Sequence, residues 1–173
     1  MNFTRSLWLL GLALALTGQP AAARTPWQDD FLARGLAGEW TGSGVVYGNP
    51  VTLTRSWSLD LAGRFLKADM KVSMGQRGSF RALAYWRKTA ANQYELTWMD
   101  ESGNRLNHRG LGDPEKRQVV VVYLGETPGD PPDWRRLVYR VTSDDSYEET
   151  MFSQADDGTW SQIAAFQFNR VKP

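Results

Sequence analysis

The first residue whose chemistry demands an explanation is Arg55. It lies in Val51–Leu59, where Val51, Leu53, Arg55, Trp57 and Leu59 alternate with Thr52, Thr54, Ser56 and Ser58. Strict alternation marks a strand with one apolar face, and Arg55 sits on that face. A guanidinium buried there without a partner is costly. It can hold a ligand carboxylate through a two-pronged hydrogen bond. Alternatively it pairs with a carboxylate of the chain itself, such as Glu149, or its strand faces outward near a rim. His108 is the single histidine and shares a face with Leu106. A lone histidine is more simply a hydrogen-bonded pocket or surface residue than a metal ligand. Tyr94, Leu96 and Trp98 share one face; Phe80, Ala82, Ala84 and Trp86 another; Leu137, Tyr139 and Val141 a third. Such stripes are barrel walls. Small residues beside large rings (Ala82, Ala84, Ala164) favour a cavity, and Tyr and Trp add polar handles. The candidate ligand-binding set is therefore Arg55, Trp57, Trp86, Trp98, His108 and Tyr139.

Other chemistries find little support. Ser43 stands between Gly42 and Gly44, but a nucleophile elbow needs a strand-to-helix turn, and no long helix follows. Asp144-Asp145, Glu148-Glu149 and Asp156-Asp157 form an acidic stretch without a calcium-loop ligand pattern; it reads as a solvated hairpin. With no cysteine, disulfides, thiol catalysis and thiolate metal sites are excluded. No metal site, cofactor or catalytic constellation is expected.

The elements that must position these residues are short. Thr25–Leu36 reads as a helix, capped by Thr25, with Pro26 in its first position and Asp29 and Asp30 near its positive end. Ten short runs follow, mostly alternating: Glu39–Tyr47, Val51–Leu59, Arg64–Met74, Ser79–Arg87, Gln93–Asp100, Arg105–Gly110, the nearly continuous valine run Gln118–Leu124, Trp134–Thr142, Tyr147–Ser153 and Thr159–Val171. Most are joined by turns too short for anything but antiparallel neighbours. The longest loop, Gly125–Asp133, holds three prolines that exclude regular pairing. The fold expected is all-β: an antiparallel up-and-down barrel of about ten strands after a short helix. Closure removes the exposed edges a ten-stranded sandwich would leave.

The first 23 residues stand apart. Arg5 precedes the apolar run Leu7–Leu16, then Gly18, Pro20 and Ala21-Ala22-Ala23. This is the order of a secretory signal peptide cleaved after Ala23, and the run is shorter than the roughly 20 residues a membrane span needs. The expected organisation is a signal peptide over 1–23 and one domain over 24–173, periplasmic or secreted, with no stable membrane anchor. Arg5 is the only charge removed, which leaves 19 basic and 19 acidic residues. Net neutrality argues against a nucleic-acid partner.

Gly38-Glu39-Trp40 places G-x-W at the start of the first strand, directly after the helix. This resembles the opening motif of the lipocalins and their calycin relatives. The resemblance implies that Trp40 closes the barrel bottom and that Arg170, in Phe166-Gln167-Phe168-Asn169-Arg170, stacks over it as a cation–π contact. More broadly, the chain looks like the secreted bacterial lipocalin-like domains of unknown function. The matching features are G-x-W-x-G-x-G, the strand pair around Leu61–Leu66, Ala84-Tyr85-Trp86 before Asn92-Gln93-Tyr94, and the closing F-x-F-x-R. Nitrobindin, a haem-binding ten-stranded barrel, shares the look of GEWTGSG but holds iron through a histidine late in the chain. Here the only histidine is mid-chain.

The leading expectation is a barrel that binds a small hydrophobic or amphipathic molecule, with Arg55 and His108 orienting its polar end. The alternatives are a packed barrel that contacts a protein partner, an isomerase or hydrolase built on Arg55, His108 and a carboxylate, and a haem-binding protein.

Overall fold

The computed structural model describes residues 26–125 and 136–172. Within them lie one short helix, α1 (Phe31–Leu36), a single 3-10 turn at Gly75–Arg77, and ten strands. The strands are β1 (Gly38–Val46), β2 (Asn49–Asp60), β3 (Phe65–Ser73), β4 (Ser79–Ala90), β5 (Gln93–Asp100), β6 (Arg105–Asp113), β7 (Gln118–Tyr123), β8 (Arg136–Val141), β9 (Ser146–Gln154) and β10 (Trp160–Arg170). Each pairs antiparallel with its neighbours in sequence, and β1 pairs with β10, so the sheet closes into a ten-stranded barrel. The expected up-and-down barrel with a short N-terminal helix is the fold observed.

Alternation fixes which side chains point inward. On β2, Val51, Leu53, Arg55 and Trp57 are buried, while Thr52, Thr54 and Ser58 are exposed and Ser56 is half-buried. Leu59 does not continue the buried stripe; it is exposed at the strand's end. The near-continuous valine run of β7 conceals the same period, with Val119 and Val121 buried, Val122 exposed and Val120 between the two. Ser43 lies on β1, a strand paired on both sides, far from the geometry of a nucleophile elbow.

Two sequence expectations need correction. The helix begins at Phe31, not at Pro26: residues 26–29 form a turn closed by the Asp30 N–H on the Trp27 carbonyl (3.1 Å). The cap is Asp30, whose Oδ1 accepts from Leu32 N at 2.9 Å. Burial of Trp27, whose Nε1 donates to the Arg64 carbonyl at 3.2 Å, fixes the turn and leaves only six residues for the helix. Thr25 lies outside the described residues, as do 1–23 and residues 126–133 of the long loop. The acidic stretch is also not uniformly solvated. Asp144, Asp156 and Asp157 are exposed, but Glu149 is buried, because inward alternation on β9 runs Tyr147, Glu149, Met151.

Gly42 and Gly44 on β1 owe their place to close approach. A Cβ at Gly42 would lie 2.5 Å from the Phe168 ring, and one at Gly44 would lie 2.0 Å from the Ala165 carbonyl oxygen. Glycine at these positions lets β10 and its phenylalanines lie directly against β1.

Candidate functional site

The barrel has two unlike ends. Hairpins β2–β3, β4–β5, β6–β7 and β8–β9 lie at the end covered by α1. Trp40 is buried there, donating from Nε1 to the Leu36 carbonyl at 2.6 Å and meeting Tyr147 edge-on at 4.8 Å. The Arg170 guanidinium lies 4.3 Å over the Trp40 ring. It also donates to the Ala37 carbonyl and, at 3.1 Å, to the Gly35 carbonyl, so it covers the open carbonyls at the helix C-terminus. Buried Asp30 ties the helix start to the barrel: its Oδ2 accepts from Tyr94 OH at 2.9 Å and pairs with Lys88 Nζ at 2.7 Å. Burial, and then the Asp30 carboxylate, push the Tyr94 phenol well above its ordinary range, so it stays a hydrogen-bond donor.

Above this plug lies a ring-packed layer. Trp57, Trp86 and Tyr139 meet pairwise with centroids 5.0–6.4 Å apart, Trp86 standing edge-on to Tyr139. Tyr147 stacks flat on Phe168 at 4.3 Å.

A buried polar network sits at the next level. Arg55 Nη1 donates to Glu149 Oε2 at 2.6 Å and to Tyr147 OH at 3.2 Å. Trp57 Nε1 donates to the same Tyr147 oxygen at 3.3 Å, and Tyr139 is hydrogen-bonded to Glu149. The guanidinium also lies 4.6 Å over the Phe168 ring. Burial, the largest influence, would lower the Arg55 pKa; Glu149, Tyr147 and Tyr139 together more than offset this, and the net shift is upward. Tyr139 and Tyr147 are driven upward mainly by burial, so both phenols keep their protons. Of the partners weighed for Arg55, the structure selects Glu149: the place considered for a ligand carboxylate is filled by the chain itself.

Over this network opens a cavity of about 230 Å³. Arg55, Tyr139 and Glu149 form its floor. Its walls come from the other ends of the same strands: Val51 and Leu53 on β2, Val72 and Met74 on β3, Phe80 on β4, and Trp98 on β5. Three methionines, Met70, Met74 and Met151, also line it. Of the six expected ligand-binding residues, Arg55, Trp98 and Tyr139 face this space. Trp57 and Trp86 do not; they pack the layer beneath it. His108 does not line it either. It is buried against Tyr123 (5.7 Å between rings), in register with Leu96. Burial lowers its pKa to about 4, with a backbone contact to Leu96 offsetting part of the drop, so the imidazole is neutral at pH 7. The cavity therefore presents no imidazole to a haem iron. Among the described residues no cluster of His, Asp and Glu could hold a metal.

The three methionines line the cavity and Tyr147 joins the polar network, yet neither was among the expected site residues; Phe80 was read only as barrel wall. Their signal was present: Met70, Val72 and Met74 alternate on β3, and Tyr147, Glu149 and Met151 alternate on β9. Alternation does not say which strand end faces the opening.

Residues 29–170 match the family described as "Protein of unknown function (DUF1579)". The chain belongs to the DUF1579 family. The matched span runs from the residue before the Asp30 cap to Arg170, so the family covers plug, network and cavity alike. No curated protein matches the sequence. Among solved structures, this DUF1579 member is similar to the crystal structure of Rv2717c from M. tuberculosis. That match has a TM-score of 0.62 at 16% identity and covers 80% of this chain and 94% of that one. It is also similar to a redesigned β-barrel, with a TM-score of 0.46 at 8% identity, covering 82% and 96%. At such identities the first likeness shows the barrel fold alone.

Proposed function

We propose that this DUF1579 barrel binds a small, mostly apolar molecule in the cavity at the end opposite α1. One observation carries the reading: a space of about 230 Å³ whose walls are aliphatic, methionine and aromatic, and whose floor is polar. A few placed polar groups in an apolar concavity are the usual make-up of a ligand site. The volume falls below the roughly 300–1,000 Å³ of drug-sized sites, so the ligand is small. Arg55, Trp98 and Tyr139 contact it. Trp57, Trp86 and His108 support the wall and floor from behind, and Trp40 with Arg170 closes the far end. The reading favours binding over acid–base catalysis because His108, the histidine such a mechanism would recruit, lies outside the lining. The Met1–Ala23 pattern supports a secreted or periplasmic location, where a carrier or scavenger of apolar small molecules would act.

The test is native mass spectrometry of the protein purified without its first 23 residues, followed by solvent extraction and by titration with small aromatic and aliphatic compounds. A retained or saturably bound small molecule is expected, with quenching of the cavity tryptophan, Trp98. A protein that carries nothing and binds nothing would overturn the reading and leave the packed barrel as an interaction module.

A further inference from the structure

We infer that the ligand is uncharged and carries a hydrogen-bond acceptor, such as a ketone, ester or amide oxygen, directed at the free edge of Arg55. This inference rests on the proposed binding role and specifies its chemistry.

Arg55 has more donors than the chain satisfies. A guanidinium has five N–H donors in a rigid fork. Nη1 is engaged by Glu149 and Tyr147. Among the described residues Nη2 has only the Met70 thioether, at 3.7 Å, a weak acceptor. Nε is buried and has no acceptor among the described residues. The residue is buried, so these donors are removed from bulk water while it lines the cavity. Buried donors need acceptors, and a donor on a charged group needs one most. Water can serve in the free protein; a ligand oxygen replaces it on binding.

The charge balance then selects the kind of oxygen. Glu149 already compensates Arg55 in a pair whose side chains are each 2% exposed. The floor is therefore neutral as a whole. A ligand carboxylate would put two negative charges against one positive charge in a space poor in water, with Glu149 and the new anion repelling each other. An ammonium group would meet a carboxylate already engaged by Arg55 and Tyr139. A neutral acceptor satisfies the spare donors and leaves the ion pair intact. The remaining walls (Leu53, Val72, Phe80, Trp98) ask only for apolar surface. Ionised carboxylic acids fit this floor poorly, and their neutral esters or ketone analogues fit it well.

Matched aromatic probes of nearly equal size test the inference on the protein lacking residues 1–23: ethylbenzene, acetophenone, benzoate and benzylammonium, titrated at pH 8 and followed by Trp fluorescence and calorimetry. Acetophenone is expected to bind about tenfold or more tighter than ethylbenzene, as a hydrogen bond to a charged donor implies, with both ions weakest. The double variant Arg55→Leu/Glu149→Leu, which removes the pair without stranding either charge, is expected to lose the ketone preference, so that acetophenone and ethylbenzene bind it alike. Benzoate binding tightest would overturn the inference, and so would a ketone bound no better than the hydrocarbon; in both cases the container reading stands. If none of the four binds, both fall.

Discussion

The lower and upper halves of the barrel are built from the same strands, yet one is solid and the other hollow. On β2, β4, β5, β9 and β10 the inward positions near α1 are Trp57, Trp86, Tyr94, Tyr147 and Phe168, and all are buried. Farther along those strands the inward positions are Val51 and Leu53, Phe80 and Ala82, Leu96 and Trp98, Met151, and Ala164 and Phe166. Paired strands keep a nearly constant spacing along a sheet, so side-chain volume decides where space remains. The Arg55–Glu149–Tyr139 network lies at the boundary and faces rings below and open space above. A barrel can thus divide by depth: aromatic packing fills one end and leaves the other open.

This contrast fails most plainly if the plug can be hollowed without penalty. Trp40→Ala removes a fully buried indole, its bond to Leu36 and the surface on which Arg170 rests. Its expected cost is about 5 kcal/mol, from the usual cavity penalty plus the lost cation–π contact, read by urea denaturation. A loss below about 1 kcal/mol would show that the closed end is not where stability resides.

The boundary is next. Glu149→Leu strands a buried guanidinium and should cost about 4 kcal/mol, whereas Arg55→Leu/Glu149→Leu should recover most of that loss. If the single variant is nearly neutral, water reaches the pair through the cavity and the floor belongs electrostatically to the open half.

The wall gives a pH signature. His108 titrates near pH 4 in the folded protein against about 6.5 when exposed, because burial disfavours its charged form. The unfolded chain therefore binds more protons across that interval, and stability falls as the pH drops from about 6.5 to 4. The full contribution is up to about 3 kcal/mol. His108→Gln should flatten that part of the stability–pH curve, whatever its effect at pH 7. An unchanged slope between wild type and variant would show that the imidazole is not shielded.

Much of this architecture was legible in the residues. Alternation found most of the ten strands because each has one apolar face, and an unbroken valine run marked β7. Two kinds of information were not local. Periodicity assigns residues to a face but not to an end, so Trp57, Trp86 and Trp98 are equivalent by pattern alone. Only strand direction separates them: β2 and β4 run toward α1, so Trp57 and Trp86, late in their strands, fall in the packed ring layer, whereas β5 runs away from it and lifts Trp98 to the cavity. Pairing across the barrel was equally hidden. Arg55 and Glu149 are 94 positions apart, and their contact exists only because the sheet closes. The helix start differs for another reason. Pro26 and Asp29 suit a helix locally, but burying Trp27 against the β2–β3 turn overrides that preference.

The smallest expected effect on stability bears most directly on the division by depth. Trp98→Ala removes a ring of the same size as Trp40, on a strand of the same sheet, but into space that is already open. The residue is only partly buried, so its deletion enlarges a cavity and does not create one within packed atoms. The penalty scales with the apolar surface removed and the new void, so it should stay near ~1 kcal/mol, against about 5 kcal/mol for Trp40. Binding should move the other way. Acetophenone affinity should fall severalfold in Trp98→Ala, because the probe loses an aromatic wall, while a Trp40→Phe protein that remains folded should bind as wild type. Equal losses of stability from Trp40→Ala and Trp98→Ala would mean that the barrel is packed throughout its depth, and the cavity would then have no claim to a ligand.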